Sequence, residues 1–107
     1  MDPRTIDFES GFEETALIFV HAAWSGPSAL SLQVFRRWLR EQKATLPPAY
    51  MVDIDSPGWE VWSRKRDFLD HGWGSLYGLK MGSVMEVVPN VSAAGKEALR
   101  SLARRFE

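Results

Sequence analysis

"FVHAAWSGPSALS", residues 19–31, decides how this chain is read. Its first residues continue an uninterrupted apolar run, "ALIFVHA", over residues 16–22. A short apolar run rich in β-forming residues and bounded by a turn predicts a central strand covered on both faces. Trp24, Ser25, Gly26, Pro27 and Ser28 then lead into a helix. Ser25 suits the N-cap, where its hydroxyl accepts a bond from a backbone N–H near Ser28. Gly26 and Pro27 fall in the first turn, where proline's missing N–H costs nothing. Over residues 25–43, Leu30, Val34 and Trp38 form one row at helical spacing, and Phe35 and Leu39 form a second. Arg36, Arg37, Arg40 and Glu41 fill much of the remaining face, and "ATLPP" ends the helix.

Outward from this stretch, residues 49–55 predict a second strand, with Tyr50, Val52 and Ile54 alternating. "SPGW" opens a second helix over residues 59–70, with Ser56 as N-cap and Pro57 just inside. Gly72 and Gly74 mark a turn. Residues 75–80 and 83–88 read as a hairpin joined by Met81 and Gly82. Residues 89–107 close the chain with a helix capped by Ser92, with Leu99, Leu102 and Phe106 facing inward. Residues 1–14 are polar apart from Ile6 and Phe8 and read as an arm or edge strand. Residues 15–107 form a single domain. Strand–helix–strand gives a parallel pair with a right-handed crossover, and the hairpin adds antiparallel strands. Helices then cover both faces of a mixed sheet.

The chain has 107 residues, 45% of them hydrophobic and 25% charged, which suits one globular domain. A formal net charge of −1 supplies no bulk positive field for nucleic acid or an anionic membrane, so neither is expected as a partner. There is no cysteine, which excludes disulfides, thiolate metal ligands and thiol mechanisms. His21 and His71 lie far apart without ligand spacing, so no metal is expected. The acidic N-terminus lacks the apolar core of a signal peptide, and residues 16–20 are too few to cross a bilayer. A cytoplasmic protein is the expectation.

In this element order and at this length, the sequence resembles the thioredoxin-like superfamily over residues 16–106. The carriers are the strand ending in "AAWSGPS", the "VDID" strand followed by "SPG", the "YGLKMGSV" hairpin and the amphipathic last helix. The resemblance implies an α/β thioredoxin-like fold with a mixed central sheet, helices on both faces and a reduced N-terminal β-α unit. It also places functional positions. The two thiols of the redox motif fall on Ser25 and Ser28. The buried carboxylate that assists proton transfer falls on Phe19, and a lysine near it falls on Met51. The cis-proline facing the active site falls on Gly74, just before Ser75. Trp24, Gly26 and Pro27 are retained. A serine hydroxyl cannot take part in thiol–disulfide exchange. Phe19 in place of a costly buried carboxylate agrees with that loss. The residues that shape the turn remain, and those that move electrons or protons are gone.

Two surfaces follow. Trp24, Gly26 and Pro27, with the loop at Trp73 and Ser75, would meet another protein or an extended peptide. The stretch 59–74 places Trp59 and Trp62 three apart on a helix, then Phe68, with Arg64, Lys65 and Arg66 between. It reads either as an amphipathic helix with aromatic core contacts or as a binding surface, since Trp and Arg are enriched at hot spots. His21, four residues before Ser25, would need a third group such as Asp53 or Asp55 to act in catalysis. The expected function is therefore non-redox binding, as a chaperone, adaptor, assembly factor or neutralising partner. No catalytic residue and no cofactor are expected. The alternative is Ser25 holding glutathione or another small anion at the helix N-terminus.

Overall fold

The computed structural model describes residues 4–5, 15–42, 46–65 and 69–107. Five strands and three helices follow in the order β1 (Arg4–Thr5), β2 (Ala16–His21), α1 (Gly26–Glu41), β3 (Ala49–Asp53), α2 (Pro57–Lys65), β4 (Ser75–Lys80), β5 (Ser83–Val88) and α3 (Val91–Arg104). The sheet order is β1-β3-β2-β4-β5. β2 lies at its centre, parallel to β3 and antiparallel to β4. The apolar run at 16–20 thus does what its composition demands, with every residue buried. β1 is a two-residue edge strand, parallel to β3. The apolar feature at Ile6 and Phe8 lies outside the described residues.

Alternation along β2 feeds two cores. Leu17 and Phe19 point to one side, where α1 and α3 cover them with Phe35, Trp38, Leu39, Leu99 and Leu102. Phe19 stacks on Phe35 with ring centroids 5.4 Å apart. Ile18 and Val20 point to the other side and meet Tyr50, Val52, Tyr77 and Trp59 of α2. The hairpin turns at Met81 and Gly82, both with positive φ, 55° and 81°. That is the type I′ pattern matching the twist of paired strands. Leu99, Leu102 and Phe106 face inward as their spacing predicts.

Several expectations need correction. The second helix begins at Pro57 and its described part ends at Lys65, while Leu69 to His71 are not helical. Ser56 stands at its N-cap position, its carbonyl accepting from Glu60 N–H at 3.1 Å, while its hydroxyl turns back and donates to the Asp53 carbonyl at 2.7 Å. The last helix is capped by Asn90, whose Oδ1 accepts from Ala93 N–H at 3.3 Å, and not by Ser92. Asn90 wins because the helix starts at Val91, a fully buried residue whose N–H bonds the Gly74 carbonyl at 3.0 Å. That helix also breaks at Gly95, where φ is 79°. On α1 only Leu30 leaves its predicted row: it is 58% exposed, while Val34 packs against the core and Trp38 is buried, on a face that also carries Ser28, Ser31, Leu32, Phe35 and Leu39. Two small polar residues sit against the sheet there, and polarity hid them from a hydrophobic pattern. Phe68 and Arg66 lie outside the described residues.

Candidate binding surface at the Trp24 turn

The end of β2 and the start of α1 are joined by two different serine contacts. Ser25 is the N-cap, and its Oγ accepts from Ser28 N–H at 3.3 Å. Ser28 is fully buried and is no cap. Its Oγ accepts from Ala22 N–H at 2.9 Å and lies 2.9 Å from His21 Nδ1. One hydroxyl therefore ties the strand end, the histidine and the helix together. Leaving the buried Ala22 N–H without an acceptor would cost about 1–3 kcal/mol. The histidine thus meets Ser28 rather than Ser25, and that hydroxyl is closed to solvent. A nucleophile needs access to its substrate, so this pair is structural.

Trp24 is exposed, with 66% of its surface open, yet it is held. Its Nε1–H donates to Asp55 Oδ2 at 3.0 Å. Its ring edge lies over Gly72, where a Cβ would fall 2.7 Å from Trp24 Cη2. Gly72 also has φ of 77°, so the close approach and the backbone both require glycine. The indole is fixed at one edge and bare on the rest. Trp73 follows directly, 44% exposed and stacked on His71 at 4.7 Å. Gly26, Pro27 and Leu30 are exposed on one side of α1's first turns. Leu30 is thus exposed where its helical row predicts a core position.

Gly74, the position matched to the cis-proline, has φ of 86°, and there is no cis peptide bond among the described residues. A Cβ there would lie 2.3 Å from Ser31 Cβ and 3.1 Å from Phe19 Cζ. Ser31, fully buried, locks this junction. Its hydroxyl reaches the Trp73 carbonyl at 2.8 Å or Asn90 Oδ1 at 3.2 Å, and it accepts from Ser92 N–H at 3.0 Å. One side chain of α1 thereby holds both the Trp73 loop and the start of α3.

Of three other proposed surface residues, two are buried and one is half-buried. Trp59 is only 2% exposed, inserted between Trp62 and Tyr77, because α2 turns this face onto the sheet. Trp62 is half-buried beside it. Ser75 is buried, since its hydroxyl donates to Asp70 Oδ2. Asp70 was missed by the sequence reading. It also accepts from Tyr77 OH and from Gly72 N–H, both at 3.0 Å, and so fixes the loop beneath Trp24. The signal was local: an aspartate two residues before a glycine favours an Asx turn. Asp55, far from Trp24 in sequence, left no such signal.

Burial, followed by the nearby Asp70 charge, pushes the Tyr77 hydroxyl well above its usual value near 10. The folded state therefore resists ionisation where the unfolded chain ionises. Stability from this group is intact below about pH 10 and is lost as pH rises beyond it. Denaturant midpoints between about pH 9 and 11 should fall more steeply for the native chain than for Tyr77→Phe.

With this geometry established, comparison with known proteins gives the fold. No protein-family model and no curated protein matches the chain. Solved structures do. The thioredoxin of Malassezia sympodialis is 15% identical, with a TM-score of 0.74, over 99% of this chain and 92% of that one. The Schistosoma mansoni thioredoxin pre-protein is 16% identical, with a TM-score of 0.69, over 100% of both chains. Thioredoxin f from spinach chloroplast is 10% identical, with a TM-score of 0.71, over 99% and 95%. The chain has the thioredoxin fold, and it carries no cysteine. Without a thiol it cannot carry out thiol–disulfide exchange. No helix among the described residues is long and apolar enough to cross a membrane.

Proposed function

We propose that this chain is a redox-inactive thioredoxin-fold protein that works in the cytoplasm by binding another protein or an extended peptide at the Trp24 turn. The observation that carries this reading is the state of Trp24: exposed, and yet fixed by Asp55 and the bare Cα of Gly72. A fixed aromatic ring loses little conformational entropy when a partner covers it. Pro27 and Leu30 on the first turns of α1, and Trp73 in the loop after Gly72, are further exposed apolar residues. Aromatic residues in such a setting are the ones that anchor interfaces. A chaperone, adaptor, assembly factor or neutralising partner would use the surface in the same physical way.

A thermal-shift measurement separates this reading from anion binding at Ser25. Ser25 Oγ already accepts the Ser28 amide, so a ligand there would have to compete with the cap. Glutathione and simple anions should leave the melting temperature unchanged. A rise of several degrees that disappears in Ser25→Ala would replace the binding reading with a small-molecule site.

A further inference from the structure

The outer side of α1 carries a second feature that the Trp24 surface does not use. Gln33, Arg36, Arg37 and Arg40 line a polar surface cleft of about 460 Å³. The ion pairs among the described residues are Arg64–Glu60, Arg100–Glu97 and Arg105–Glu86, so none neutralises the α1 arginines. Arg36 is half-buried, and its Nε is closed to solvent without a hydrogen-bond partner. Buried polar atoms of folded proteins are paired in the great majority of cases. Three guanidinium groups within about two helical turns also repel one another unless an anion joins them.

We infer that this cleft is a docking site for an acidic segment of a partner protein, with Arg36, Arg37 and Arg40 taking its carboxylates. Guanidinium forks match carboxylates in paired hydrogen bonds, and Gln33 adds an amide donor at the rim. The occupant is a peptide rather than a nucleic acid for two reasons on the molecule itself. None of the four lining residues is aromatic, so bases would find no stacking platform. The chain's net charge is −1, so no wide positive field follows a long phosphate backbone or a lipid surface. A cluster one side chain wide meets a few carboxylates and leaves the rest of a polyanion unpaired.

The test uses the full chain and a fluorescently labelled glutamate-rich peptide, read by anisotropy at low salt. Saturable binding should weaken about tenfold in Arg36→Gln/Arg37→Gln/Arg40→Gln, as expected for losing several partly exposed ion pairs. It should persist in Lys65→Gln/Lys96→Gln/Arg104→Gln, which removes the same charge from the other helices. Should the triple variant on α1 fail to fold, Arg37→Gln/Arg40→Gln leaves the half-buried Arg36 in place and should still weaken binding. The inference is overturned by the absence of saturable binding, or by equal weakening in both charge variants. Tighter binding of oligothymidine or of vesicles rich in anionic phospholipid than of the peptide would overturn it as well. Failure here leaves the Trp24 surface untouched, since the two share no residue.

Discussion

Phe19→Asp should leave the chain largely unfolded at neutral pH. Phe19 is fully buried at the centre of the sheet, stacked on Phe35 in the cluster with Leu17, Leu39 and Leu76. Removing an aromatic side chain from such a site costs about 3–5 kcal/mol. An unpaired buried carboxylate adds several kcal/mol more. Together these approach or exceed the about 5–15 kcal/mol that holds a domain of this size. The deficit should narrow in acid. Burial raises the introduced carboxyl's folded pKa above its unfolded value near 3.9. The variant is therefore least impaired below about pH 4 and loses stability as pH rises from there toward the raised folded pKa. Far-UV circular dichroism against pH reads this directly. The substitution matters because the resemblance places a buried carboxylate at this position. A variant that folded as well as the native chain would show that the pocket still tolerates the charge. The argument that its proton-transfer role has lapsed would then fail.

The parts of this fold that were legible are those in which composition and position agree. The run at 16–20 reads as a doubly covered strand, and it is one. The Ser25 cap and Pro27 in the first turn followed from residue type alone and stand in the structure. What sequence could not supply was the environment of small polar side chains. Ser28 and Ser31 look like solvent-facing helix residues, but each is buried by a hydrogen bond to backbone brought in from elsewhere. Leu30 failed in the opposite sense: helical spacing set it in line with Val34 and Trp38, which the core covers, while Leu30 itself stays exposed. Trp59 and Trp73 share composition and differ in fate, because α2 turns one onto the sheet while Asp70 and Gly72 hold the other's loop at the surface. Asp55 fixes Trp24 through a contact that no pattern along the chain encodes, whereas Asp70 left the local signal of its Asx turn.

Trp24→Ala/Trp73→Ala should weaken partner binding at least about thirtyfold while leaving the fold intact. Both rings are exposed, so their removal opens no core cavity, and the Ser31 and Asp70 bonds that hold the loop do not involve either indole. Each ring is the kind of residue whose truncation at an interface costs about 2 kcal/mol or more, which is about thirtyfold in affinity. The two effects need not add, because Trp24 packs over Gly72 and Trp73 follows that glycine directly in the chain. Val61→Ala, which trims an exposed apolar residue on α2, serves as the control. The decisive measurement is calorimetric titration of a purified partner, first recovered from the native host on the immobilised chain, against the native, double-variant and control proteins. The account predicts native-like affinity for the control and at least about thirtyfold weaker binding for the double variant. A partner that binds the double variant as tightly as the native chain would contradict it.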